Sequence, residues 1–85
     1  MARYTLTQMR TKHKAAGLHF FDRDVMKMFG PAKYKTRYDA KTDTNYIRVE
    51  GRRIKDGLSW YTFNPKTGEI DYIAPSRVPM RVREK

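Results

Sequence analysis

The spacing of apolar residues changes once along the chain, near Pro31, and separates a helical part from a strand-forming part. In the first part, Tyr4 to Gly17 reads as a short helix with Thr5 as N-cap, a thin apolar stripe of Leu6, Met9 and Ala16, and Gly17 as its stop. His13 faces outward in this reading. A second helix follows: Asp22 suits an N-cap, Asp24 sits at the positive helix end, Phe21 and Met26 are placed as a hydrophobic staple, and Gly30-Pro31 terminates it. Its core candidates are Phe20, Val25, Met28 and Phe29, read as packing residues and not as a ligand pocket.

Beyond Pro31 the pattern alternates. Tyr34, Thr36 and Tyr38 share one strand face, and Lys33, Lys35 and Arg37 share the other. Residues 45–52 repeat the alternation, with Ile47 and Val49 opposite Tyr46, Arg48 and Glu50. Ala40 to Thr44 supplies a polar turn, and Lys55-Asp56-Gly57 leads into a third strand, Leu58 to Phe63. Asn64-Pro65-Lys66-Thr67-Gly68 reads as a turn with a left-handed glycine, followed by a strand from Glu69 to Ala74 with Ile70, Tyr72 and Ala74 inward. The third strand is ambiguous, because Leu58, Trp60 and Thr62 compete with Ser59, Tyr61 and Phe63 for burial, which suits partial cover of both faces.

The predicted fold class is α+β: two short N-terminal helices packed on a four-stranded antiparallel β-meander, with an extended C-terminal tail. Residues 1–74 form a single domain. Residues 75–85, with two prolines and mostly basic charge, suit an extended tail able to move rather than a further helix.

With 85 residues, there is room for one small domain, whose core depends on a few large side chains; six Tyr, four Phe, five Met and one Trp supply them. No cysteine is present, so disulfide frameworks and thiolate chemistry are excluded, and a cytoplasmic setting is expected. No signal-peptide stretch and no apolar run near the ~20 residues of a membrane span is seen. Nineteen Lys and Arg against nine Asp and Glu give a net charge of +10, which exceeds the roughly 2–8 units that serve solubility. That excess points to an anionic partner.

The cations have a pattern. Lys33, Lys35 and Arg37 repeat every ~6.6–7 Å along one strand face, comparable with successive phosphates along a strand. Arg48 lies on the neighbouring strand, Arg52, Arg53 and Lys55 at the following turn, and Arg10 and Lys14 one turn apart on the first helix. Tyr46 and an outward Trp60 would add stacking surfaces. These residues form the predicted nucleic-acid or partner-binding set. Without a base-reading motif, phosphate and shape recognition is expected.

Catalytic signatures are missing. There is no phosphate-binding glycine loop, nucleophile elbow or paired carboxylate, and the two histidines lack metal-ligand spacing, so no cofactor, no metal and no enzyme activity is predicted. His19 with Arg48 and Tyr46 leaves a small metal-free ribonuclease or toxin as the weaker alternative.

His19-Phe20-Phe21, Met26, Phe29-Gly30, the tyrosine-bearing strands and the Phe63 to Ile70 turn together resemble a group of short, functionally unassigned bacteriophage and mobile-element proteins, over roughly residues 18–74. The resemblance implies origin, and with it a host cytoplasm, but carries no active residues over. The sequence therefore predicts a small basic accessory protein that binds DNA, RNA or a nucleic-acid-containing host complex. The alternative is a protein–protein inhibitor of a host-defence complex, acting like an anti-CRISPR protein on an acidic surface. No membrane partner is expected.

Overall fold

The computed structural model describes residues 3–18, 32–52, 54 and 57–83. The helix predicted between Asp22 and Phe29, together with His19, Arg53 and Lys55, lies outside the described residues.

The first helix, α1, spans Leu6–Ala15. A capping box closes its start: Gln8 N–H donates to Thr5 Oγ1 at 3.2 Å, and Thr5 N–H donates to Gln8 Oε1 at 2.8 Å. At its other end Gly17 has φ +79°, Leu18 N–H bonds the His13 carbonyl and Gly17 N–H bonds the Lys14 carbonyl. This is the paired pattern of a Schellman stop, which needs the left-handed backbone that glycine adopts freely.

Four strands follow: β1 (Ala32–Asp39), β2 (Thr44–Gly51), β3 (Leu58–Phe63) and β4 (Ile70–Ile73). They pair antiparallel in the order β1-β2-β3-β4, the predicted meander, with β1 and β4 at the edges. The register places Thr36, Ile47, Tyr61 and Tyr72 in one row on the front face, and Lys35, Arg48, Trp60 and Ile73 in one row on the back.

Both faces of the sheet are covered. On the front, α1 inserts fully buried Met9 among Ile47, Val49, Tyr61, Phe63 and Ile70, and Tyr4, Leu6 and Tyr34 pack around them. Tyr4 meets Phe63 edge-on at 5.5 Å between ring centres, and its N–H donates to the side chain of buried Asn45 at 3.0 Å. His13 is buried, contrary to its expected outward position, and Ala16 is exposed. The reason lies in the helical repeat: Leu6, Met9 and His13 fall at i, i+3 and i+7, on the face that meets the sheet. His13 Nδ1 lies 2.7 Å from the Gly68 carbonyl, which can only accept, so this nitrogen carries the proton.

Gly68, φ +78°, makes that meeting possible. A Cβ there would lie 2.8 Å from the Lys12 carbonyl oxygen and 3.2 Å from Ala16 Cβ. The Asn64 side chain shapes the turn by accepting from Lys66 N–H at 2.9 Å. β4 is shorter than expected, and Tyr72, predicted inward, is 64% exposed because it lies at the sheet edge.

The back face is closed by the C-terminal segment. Pro75–Arg77 makes a single 3-10 turn, and Met80–Arg83 makes a short helix, α2. Buried Val78 and Val82 from this segment pack on Tyr46 and Trp60, with Leu58 and Ile73 at the margin. Residues 75–83 are therefore turned and helical instead of extended. Their prolines initiate structure: Pro75 opens the 3-10 turn, and the Pro79 carbonyl accepts from Val82 and Arg83 N–H.

Candidate nucleic-acid interface

β1 is an edge strand, and alternation alone sends Lys33, Lys35 and Arg37 to its back face. Lys33 and Lys35 are exposed and form no ion pair among the described residues. Arg37 is half-buried and donates to the Thr36 carbonyl at 3.1 Å. The predicted cationic row is thus present on one face. Its cross-strand neighbours are Glu50 opposite Lys33, Arg48 opposite Lys35 and Tyr46 opposite Arg37. Glu50 is taken by Arg48 on its own strand, an ion pair with side chains 26% and 37% exposed. Such a pair adds little stability, yet it removes Arg48 from the set of uncommitted cations.

Two predicted contact residues are in the wrong environment. Tyr46 and Trp60, expected as outward stacking surfaces, are 5% and 1% exposed because the C-terminal segment lies over them. Their rings meet edge-on with centres 6.4 Å apart. Burial, and secondarily the nearby Asp39 charge, raises the Tyr46 hydroxyl above its ordinary pKa, so it stays neutral. Trp60 Nε1 and Arg48 Nε are both buried and have no hydrogen-bond partner among the described residues.

The covering segment is latched to β1. Arg81 forms a two-pronged contact with Asp39, Nε to Oδ1 at 3.0 Å and Nη2 to Oδ2 at 2.6 Å. Thr42 Oγ1 donates to Asp39 Oδ2 at 2.8 Å, and Lys41 N–H donates to Oδ1 at 3.3 Å. The Arg81 hydrogen bonds, followed by that from Thr42, hold the Asp39 carboxyl well below the usual carboxylate range, and the same contact raises Arg81. Sequence reasoning missed Arg81. Its signal was the Val78/Val82 spacing of four with Pro79 between them, which turns one face of a helical turn inward and leaves Arg81 outside.

Arg10 and Lys14 sit elsewhere. They line a shallow groove with Thr7 and Thr11 on α1, which packs against the front face. Tyr34 on β1 is raised chiefly by burial and lowered in part by Arg10, which places Arg10 within electrostatic reach of the strand. The edge of β1 therefore has cations on both flanks: Lys33, Lys35 and Arg37 behind, and Arg10 in front. Arg52 is exposed just past β2. The predicted cations do not make one patch, and the continuous part is the β1 row.

Among the described residues no helix is long and apolar enough to cross a membrane, and no group of three or more His, Asp or Glu could hold a metal ion. Neither the curated proteins nor the solved structures contain a match to the chain. A family model, described as a family of unknown function (DUF7447), matches residues 5–75, which takes in α1 and the whole sheet. The chain belongs to this family of unknown function.

Proposed function

We propose that the protein is a small basic accessory module that binds the phosphate backbone of nucleic acid, alone or within a host nucleoprotein, along the edge of β1. The observation that carries this reading is the row Lys33, Lys35 and Arg37 on one face of an edge strand, where the cross-strand carboxylate, Glu50, is engaged by Arg48 and the same-face carboxylate at the strand end, Asp39, by Arg81. Two exposed lysines at strand spacing, on a chain of net charge +10, make a linear cationic track. Phosphate contacts of this kind position a polyanion without reading its sequence, so binding is weakly sequence-specific. A bacteriophage or mobile-element origin, and with it action in a host cytoplasm, is part of the proposal. The module acts by binding, without catalysis.

Mobility shifts with single- and double-stranded DNA and RNA across a salt series test it. Binding to at least one of these at low salt, steeply weakened as salt rises, is the expected result. Indifference to all four at low salt refutes the proposal.

A further inference from the structure

We propose that residues 75–83 are a displaceable strap, and that the face beneath them, Tyr46 and Trp60 beside Arg48 and Lys35, takes the unpaired bases of single-stranded nucleic acid. This rests on the phosphate-binding reading above and adds which form of nucleic acid the site prefers.

The strap seals this face without satisfying it. Trp60 Nε1 and Arg48 Nε are buried donors with no acceptor among the described residues, and the two residues are direct cross-strand partners. The inward side chains of the strap are Val78 and Val82, which offer no oxygen to either. Buried polar groups left unpaired are costly, and a nucleic acid brings what is missing in its phosphate oxygens and base carbonyls. The row Lys35, Arg48, Trp60 places an exposed cation, an orphaned donor and a flat aromatic ring side by side, the combination that holds a phosphate and a stacked base together.

The strap is also thinly held. It consists of a three-residue 3-10 turn and a four-residue helix, each too short to persist alone, and the ion pair that ties it to the sheet joins an Arg81 side chain 45% exposed to an Asp39 side chain 4% exposed. A short segment near the chain end, held by two buried valines and an ion pair, opens before the sheet it covers. The family match ends at residue 75, so the shared region includes the sheet face and stops where the strap begins. Duplexes keep their bases stacked internally, and only an unpaired strand can exchange its stacking for Tyr46 and Trp60.

Trp60 is the single tryptophan of the chain and reports on the strap directly. The experiment titrates the full-length protein, and its Arg81→Ala variant, with single-stranded dT12, U12 and a 12-base-pair duplex at low salt. It follows binding by anisotropy and Trp60 by emission, with hydrogen exchange over residues 75–83 in parallel. Either single strand should quench Trp60 and raise exchange in the strap, while the duplex binds without doing so. Arg81→Ala removes a cation, so charge alone predicts weaker binding. Loosening the latch predicts the reverse, a gain for single strands of roughly three- to fivefold, because apparent affinity scales with the open fraction. Single strands that bind with Trp60 emission and strap exchange unchanged overturn the strap and leave the phosphate reading intact. Absence of binding by every probe overturns both. If Arg81→Ala does not fold, the emission of the unaltered protein decides alone.

Discussion

Replacing Gly68 by alanine probes the contact that fixes α1 on the sheet. Gly68 has φ +78°, a conformation that costs an L-residue roughly 1–2 kcal/mol. Its new Cβ would also stand 2.8 Å from the Lys12 carbonyl oxygen and 3.3 Å from the Lys12 carbonyl carbon. Those atoms belong to the helix backbone and cannot rotate aside, so α1 must shift as a body. The shift loosens the His13 bond to the Gly68 carbonyl and the packing of Met9, an overpacking cost of about 1–3 kcal/mol beyond the backbone term. Gly57→Ala is the matched control: φ is +73°, but nothing lies within 4 Å of its Cβ. It carries the backbone term alone. Thermal unfolding followed by circular dichroism should therefore place the Gly68→Ala midpoint below that of Gly57→Ala by on the order of 5–20 °C, at about 4–8 °C per kcal/mol for a domain of this size. Equal midpoints for the two variants refute the close approach of the β3–β4 turn to α1.

Three further outcomes follow from the same geometry. Met9→Ala, at a site with no solvent exposure, should lower unfolding stability by roughly 2–5 kcal/mol in urea melts, with little change if α1 does not hold the front face. Thr5→Ala removes one half of the capping box and should cost about 1 kcal/mol in the same assay; Thr5→Asn should recover most of it. Asp39 has a folded pKa depressed below its unfolded value of 3.8, so its contribution to stability is fully present above that value and is lost as pH falls through the folded one. The stability difference between the unaltered protein and Asp39→Asn should then be constant from neutral pH down to about pH 5 and shrink below it. A difference that grows on acidification contradicts the Arg81 latch.

The meander was readable because its strands alternate strictly and its turns are chemically marked. Lys33 to Tyr38 and Tyr46 to Glu50 keep period two, and Gly68 takes the left-handed conformation that the Asn-Pro-Lys-Thr-Gly turn calls for. The third strand resisted assignment for a physical reason: Trp60 and Tyr61 are both buried because both faces are covered, which erases the polar alternation. The same cover explains the misplaced stacking residues. An aromatic on an otherwise cationic strand face reads as exposed unless something distant in sequence returns to cover it, and Val78 and Val82 do so from 18 to 36 residues away. Their spacing was visible, but the prolines around them suggested an extended tail. His13 was misread because a polar residue on a short, mostly polar helix defaults to solvent; the Gly68 carbonyl on the β3–β4 turn meets its ring nitrogen once it is buried. The cationic row of β1 needed nothing beyond alternation, and it is the part of the candidate site that the fold reproduces.

The most direct test of the phosphate-binding track is the salt dependence of duplex binding for the unaltered protein and for the triple variant Lys33→Ala, Lys35→Ala, Arg37→Ala. If all three side chains meet phosphates, the slope of log affinity against log salt should become shallower by about 2.7, and binding at low salt should fall accordingly. A triple variant that binds with the original slope would show that the edge of β1 does not meet the nucleic acid, and would contradict the account.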